Sequence, residues 1–137
     1  GILTGLLPMT SGDVTVRGLD VNRQLAPIRR LLGVCPQHNI LWDNLTVMEH
    51  MRVFAALKGV PPSDVKAAAE ALIKEVGLTE KVNVCSRKLS GGMKRKLSVA
   101  IAMLGTSSVV LLDEPTSGMD PWSRRFTWRV IKVCTVT

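Results

Sequence analysis

Two adjacent acids at the end of an apolar run are the residues best placed for chemistry. Val109-Val110-Leu111-Leu112 has the character of a fully buried strand, and it stops at Asp113-Glu114-Pro115. Ligands of open α/β sheets gather beyond the carboxyl ends of strands, where low-dielectric walls strengthen charge interactions. There Asp113 would help hold Mg²⁺, directly or through water, and Glu114 would polarise the water that attacks a γ-phosphate. An ordinary turn after a strand is the competing reading of the same pair.

A second constellation is Leu89-Ser90-Gly91-Gly92-Met93, followed by Lys94-Arg95-Lys96. Helices commonly carry acids in the first turn, so three cations beside the positive dipole end point to an anion from outside. The Ser90 hydroxyl can cap the helix or donate, and two glycines let backbone N–H groups approach a phosphate without a Cβ in the way. A glycine-rich helix cap with solvated lysines is the alternative. Gln37, just past another strand, offers an amide carbonyl and N–H donors to a metal or a water. His38 and His50 have no partner at ligand spacing, which leaves them structural or solvent roles. Met48, Met51 and Phe54 fall at helical spacing and suit a core or an interface.

The elements that must position these residues follow from periodicity and punctuation. Asp13 to Arg17 alternates as a short half-buried strand up to Gly18, and helical character follows near Gln24 to Arg30. Leu31 to Cys35 is a brief buried strand halted by Pro36, with Gln37 beyond it. Helical spacing runs from Thr46 to Lys58 and from Ser63 to Val76, with Thr46 and Ser63 as caps and Gly59 and Gly77 as stops. Ser90 introduces a long amphipathic pattern through Leu104, ended by Gly105, and a last helix starts near Pro121. Gly1 to Leu7 suits the last turns of a helix, broken by Pro8 and the Thr10-Ser11-Gly12-Asp13 cluster. Alternating strands and helices predict an α/β fold with a parallel sheet, in which 1–43 and 105–137 form the α/β core and 44–104 a mainly helical insertion that includes the Ser90 helix.

Size and composition agree with one domain or part of a larger one. The chain has 137 residues, 46% of them hydrophobic and 21% charged, a balance that favours a buried core over disorder. The net charge of +7 admits nucleic acid, anionic lipid or a phosphate-bearing ligand as a partner. Arg29-Arg30 and Arg124-Arg125 suit solvated helix faces. Cys35, Cys85 and Cys134 are odd in number and widely spaced, which argues against a disulfide framework or a zinc site and for a reducing compartment. No apolar run approaches the ~18 residues of a bilayer span.

In order and spacing, Cys35-Pro36-Gln37, Leu89 to Met93, Val109 to Pro115 and Ser117-Gly118-Met119-Asp120 resemble the Q-loop, signature, Walker B and D-loop of ATP-binding-cassette (ABC) ATPases, a branch of the P-loop NTPases. The stretches Gly33 to Leu45 and Lys88 to Gly105 look like the A subfamily of ABC transporters, whose characterised members often move lipids. The resemblance implies ATP and Mg²⁺ as cofactors, and two nucleotide-binding domains meeting head to tail. Leu89, Ser90, Gly91, Gly92 and Met93 would then serve the ATP of the opposite domain. It further implies Glu114 as catalytic base, Asp113 at Mg²⁺, Gln37 as a catalytic and metal-site residue linked to the membrane domain, and Asp120 at the dimer interface. Transmembrane domains would be partners, with this domain on the cytoplasmic face. Met93 stands where many members have Gln, a substitution also seen in the A subfamily.

Two departures accompany the likeness: the sequence contains no G-x-x-x-x-G-K-[ST] loop, and the family's switch histidine has no counterpart. The cassette core is therefore expected to be incomplete. The chain alone should bind ATP weakly, since that loop supplies most phosphate donors, and should be marginally stable with apolar strand faces uncovered. A soluble ABC ATPase acting on nucleic acid and a truncated, inactive product are the alternatives; the A-subfamily likeness argues against nucleic acid.

Overall fold

A computed structural model of the chain describes residues 12–105 and 107–135, the last three by their backbone only. The expected helix tail from Gly1 to Leu7, the loop up to Ser11 and the Cys134 side chain lie outside the described residues. The first elements are β1 (Thr15–Val16) and β2 (Leu19–Asp20), an antiparallel pair in which Val16 faces Leu19. Arg17 and Gly18 between them both have positive φ, 49° and 81°, as a two-residue hairpin turn requires. The short strand was legible in the alternation of Val14 and Val16. Its return partner was not, because Leu19-Asp20 is too short to alternate.

α1 (Leu25–Leu31) runs straight into β3 (Leu32–Cys35). Ile28 and Leu32 close a small core with Val16 and Val21. β3 pairs in parallel with β4 (Val109–Leu112), from Leu32 opposite Val109 to Cys35 opposite Leu112. One further rung, from the Asp113 N–H to the Cys35 carbonyl at 3.0 Å, extends the ladder past both strands. The expectation of full burial fails for β4, whose four residues are all half-buried. Among the described residues its one strand partner is β3.

Between these two strands the chain builds the helical layer. α2 (Val47–Leu57) starts at a capping box, in which the Thr46 hydroxyl accepts from the Glu49 N–H and the Glu49 carboxylate accepts from the Thr46 N–H. α3 (Pro62–Glu75) begins at Pro62, and the expected Ser63 cap is incorrect. Pro62 presets the first helical φ, which places Ser63 inside the first turn, where its hydroxyl donates to the Asp64 carboxylate at 3.1 Å. α4 (Gly91–Ala102) follows the 3-10 turns Thr79–Lys81 and Ser86–Lys88, and α5 (Pro121–Thr135) ends the described chain. Met51, Ala55, Ala69, Ile73, Leu97, Ala100 and Leu104 form the main core of the layer.

His50 is fully buried within it, with Nε2 accepting from the Trp42 N–H at 2.9 Å and Nδ1 within 2.8 Å of the Thr46 carbonyl. Both nitrogens are thus engaged by backbone, in keeping with a structural role.

α4 is buried on two sides. Leu97, Ala100, Ile101 and Leu104 face α2 and α3, while Val99 and Ala102 pack with Cys35 and Ile131 on the sheet side. The approach to β3 is so close that a Cβ on Gly33 would fall 1.9 Å from the Ala102 carbonyl oxygen. Helix and strand are therefore locked by a residue without a side chain.

Candidate functional site

Parallel pairing of β3 and β4 delivers Gln37 and Glu114 to one edge although 77 residues separate them. The Gln37 Nε2 donates to Glu114 Oε2 at 3.4 Å. Asp113 sits one residue back, its backbone on the last ladder bond, and the side chains of Asp113, Glu114 and Gln37 are exposed. Glu114 has φ of 45°, the left-handed region, which costs a residue with a Cβ about 1–2 kcal/mol. The kink turns the chain sharply after β4, and the Glu114 carbonyl receives the Ser117 N–H at 3.0 Å. Cys35 is fully buried behind this edge, and burial pushes its thiol above the usual range, so it stays protonated and inert.

The other candidate group lies at the amino end of α4. Ser90 is the N-cap, its Oγ accepting from the Met93 N–H at 3.2 Å. A hydroxyl that accepts still has its own proton to donate. Leu89 is buried in the helical core, Met93 packs half-buried against it, and Ser90 and Gly91 are exposed. A Cβ at Gly91 or Gly92 would meet nothing within 4 Å. Among the described residues, packing against other elements therefore has no need of a missing side chain at either position.

The three cations after them do not form the expected anion-facing turn. Successive helical residues point about 100° apart, and here they go three ways. Lys94 is half-buried. Arg95, at 2% exposure, points into the protein and donates to backbone carbonyls. Lys96 lies 5.4 Å from the ring centre of Trp122 and 5.0 Å from that of Phe126, over two stacked rings of α5. Asp120 caps α5, its Oδ2 accepting from the Trp122 and Ser123 N–H groups at 3.1 and 3.0 Å. These bonds, the Ser123 one foremost, hold its carboxyl below the usual range.

Sequence reasoning missed Arg95 as a member of the site. The signal was present: Arg95, Val99 and Ala102 are spaced i, i+4 and i+7, one stripe of one helix, and that stripe faces the sheet.

The donor set suits Mg²⁺. Two exposed carboxylates and an amide carbonyl are hard oxygen ligands, and this ion is usually held by one or two carboxylates together with substrate phosphates. Among the described residues no cluster of three or more His, Cys, Asp or Glu could hold a metal ion by itself.

Comparison with known proteins agrees with this geometry. The profile of the ABC transporter family matches residues 1–117. The retinal-specific phospholipid-transporting ATPase ABCA4 of Homo sapiens is 54% identical over 130 residues, which is 95% of this chain and 6% of that protein. ABC transporter A family member 2 of Dictyostelium discoideum is 48% identical over 128 residues, 93% of this chain and 8% of that protein. ABC transporter A family member 9 of Arabidopsis thaliana is 48% identical over 132 residues, 95% of this chain and 14% of that protein. The chain thus spans a small part of these relatives.

Among solved structures, an ATP-binding subunit of an ABC transporter superimposes with a TM-score of 0.82 at 23% identity, over 98% of this chain and 56% of that one. A dimeric, post-hydrolysis ATP-binding cassette bound to ADP and Pi gives 0.79 at 23% identity, over 92% of this chain and 58% of that one. The fold is accordingly that of the ABC ATPases, an α/β core with a helical layer inserted between β3 and β4. With the family profile matching residues 1–117 of its 137, the chain belongs to the ABC transporter family.

Proposed function

We propose that this chain is part of an ATP-hydrolysing nucleotide-binding domain that powers transport across a membrane, with phospholipid or a related lipid as cargo. The observation that carries the reading is the meeting of Gln37 and Glu114 at the ends of two parallel strands, beside Asp113. Glu114 accepts a proton from the attacking water, and Gln37, donating to Glu114, orients the carboxylate that takes it. Asp113 and the Gln37 carbonyl are the groups that would hold Mg²⁺, which when bound offsets the charge of the phosphate oxygens.

The amino end of α4 serves a second nucleotide-binding domain in the head-to-tail arrangement. The Ser90 hydroxyl and the N–H groups of Gly91 and Gly92 take the phosphates of the opposite ATP, with Leu89 and Met93 anchoring the segment in the helical core. The bareness of both glycines supports this, since an internal role would show as an internal contact. Asp120, the cap of α5, lies at the domain interface. Residues 44–104 act as the helical subdomain and the flanking segments as the α/β core, on the cytoplasmic face beside transmembrane partners. Among the described residues no helix is long and apolar enough to cross a membrane. The lipid cargo follows the printed name of the Homo sapiens relative, a phospholipid-transporting ATPase.

The test is Glu114→Gln in the full-length parent. Loss of a positioned general base is expected to lower turnover by about 10²- to 10⁴-fold while nucleotide still binds; unchanged turnover overturns the base assignment. ATP-dependent phospholipid movement in reconstituted vesicles, abolished by the same substitution, tests the cargo.

A further inference from the structure

Arg95 is a buried cation, and none of its hydrogen bonds goes to a carboxylate. Its Nη1 donates to the carbonyls of Pro36 and Gln37, the latter at 3.1 Å, and reaches the Asn39 Oδ1 at 3.5 Å. Its Nη2 donates to the carbonyls of Asp113 and Glu114 at 2.6 and 2.9 Å, and its Nε to that of Pro115 at 3.0 Å. One nitrogen thus serves the segment after β3 and two serve the segment after β4.

The β3–β4 ladder ends at the Asp113 N–H, and beyond it the two chains part. The planar fork of a guanidinium spans that gap with donors fixed in relative direction, which no other side chain can do. Five backbone carbonyls also explain how a full charge is tolerated at 2% exposure. Two of the five flank the Glu114 backbone at its left-handed kink, so the strained turn that aims the Glu114 carboxylate at Gln37 is held by this side chain.

We infer that Arg95 is a positioning residue, joining the helix that begins at Ser90 to Gln37 and Glu114 of the same protomer. The inference rests on the proposed roles of Ser90–Gly92 and Glu114. If the start of α4 engages a nucleotide in trans, any shift of that helix moves the guanidinium, and with it both strand ends that serve the nucleotide in cis. Arg95 therefore couples the two ATP sites of a dimer through one side chain. Lys94 and Lys96 cannot replace it, since they leave the helix in other directions.

The experiment compares Arg95→Lys, Arg95→Gln and Glu114→Gln in the full-length parent, measuring kcat, nucleotide affinity, thermal stability and amide exchange. Lysine keeps the cation but, as a point donor, reaches one strand end and not both. Glutamine removes the buried charge and so spares folding the cost of an unpaired cation. Both variants are expected to lower kcat by about tenfold to a hundredfold, the scale of a misplaced catalytic group, with nucleotide affinity unchanged and the melting temperature lowered, because buried carbonyls lose their donors. Exchange should rise selectively at 36–39 and 113–117.

Wild-type kcat in both Arg95 variants overturns the inference. So does a kcat loss accompanied by exchange spread along the whole of α4, the pattern of simple core damage. A Glu114→Gln protein that turns over normally removes the base assignment instead, whatever Arg95 does. Lost turnover in Glu114→Gln beside normal turnover in Arg95→Lys and Arg95→Gln sinks the Arg95 proposal alone.

Discussion

The two ends of α4 use glycine in opposite ways. At the carboxyl end, Gly33 of β3 lies so close to the helix that a Cβ would overlap the Ala102 carbonyl at 1.9 Å. At the amino end, a Cβ on Gly91 or Gly92 would enter open space. The first glycine is explained entirely from within the chain, by the closeness of two backbones. The other two are costly to a helix, up to about 1 kcal/mol each against alanine, and nothing inside the described protein repays that cost. One end of the helix is built for its own fold; the other, on the function proposed above, meets a nucleotide from outside.

Glycine-to-alanine substitutions at the two ends separate these cases. Gly33→Ala is expected to cost about 3 kcal/mol or more, because backbone and not a flexible side chain must give way, and denaturant titration of the chain reads the loss. Gly92→Ala should leave the same titration unchanged or raise stability by up to about 1 kcal/mol, while lowering turnover of the full-length parent on the order of tenfold. A Gly92→Ala parent with normal turnover would break the contrast, leaving both ends structural. Ser90→Ala has a smaller effect on stability, about 1 kcal/mol for a lost cap. Ser90→Gly keeps most of the cap's worth, so turnover lost by Ser90→Gly with the melt preserved reports the hydroxyl as a donor and not as a cap.

Much of this arrangement was legible beforehand, and the failures have physical causes. The strands at 32–35 and 109–112 and the helix stops at Gly59, Gly77 and Gly105 follow from local chemistry: apolar runs, and glycines that adopt positive φ of 73°, 71° and 76°. The Thr46 cap was visible because Glu49 completes its box from three residues away. Ser63 misled because Pro62 overrides a serine's preference for the cap. The basic turn after Gly92 misled because charge was counted along the sequence and not around the helix. Arg95 has its meaning in carbonyls from two strand ends, 58 or 59 residues before it and 18 to 20 after it, contacts that no local pattern encodes.

The carboxyl end of α4 also carries a titrating group, which gives the comparison a pH axis. Lys58, the last residue of the α2 cap, sends Nζ to the carbonyls of Ile101, Ala102 and Leu104 at 2.9, 3.0 and 3.3 Å, closing the end of α4 where the dipole favours a cation. Burial nonetheless depresses its pKa from 10.5 to about 8. Below pH 8 the folded and unfolded chains both hold the proton, and stability does not respond to this group. Between 8 and 10.5 the unfolded chain holds more protons than the folded one, so raising the pH favours the fold. Cys35 acts in the opposite sense above pH 9, since its buried thiol keeps a proton that the unfolded chain loses.

The difference between wild type and Lys58→Met isolates the lysine. The denaturation midpoint of the wild type should rise relative to that of Lys58→Met as pH goes from 8 to 10.5, whichever protein is the more stable at pH 8. Ser90→Gly, which alters the amino end of α4 and titrates nothing, should run parallel to wild type throughout. A constant gap between wild type and Lys58→Met over that range would mean that the three carbonyls hold the ammonium as firmly as water does. The carboxyl end of α4 would then be as indifferent to pH in this window as the amino end.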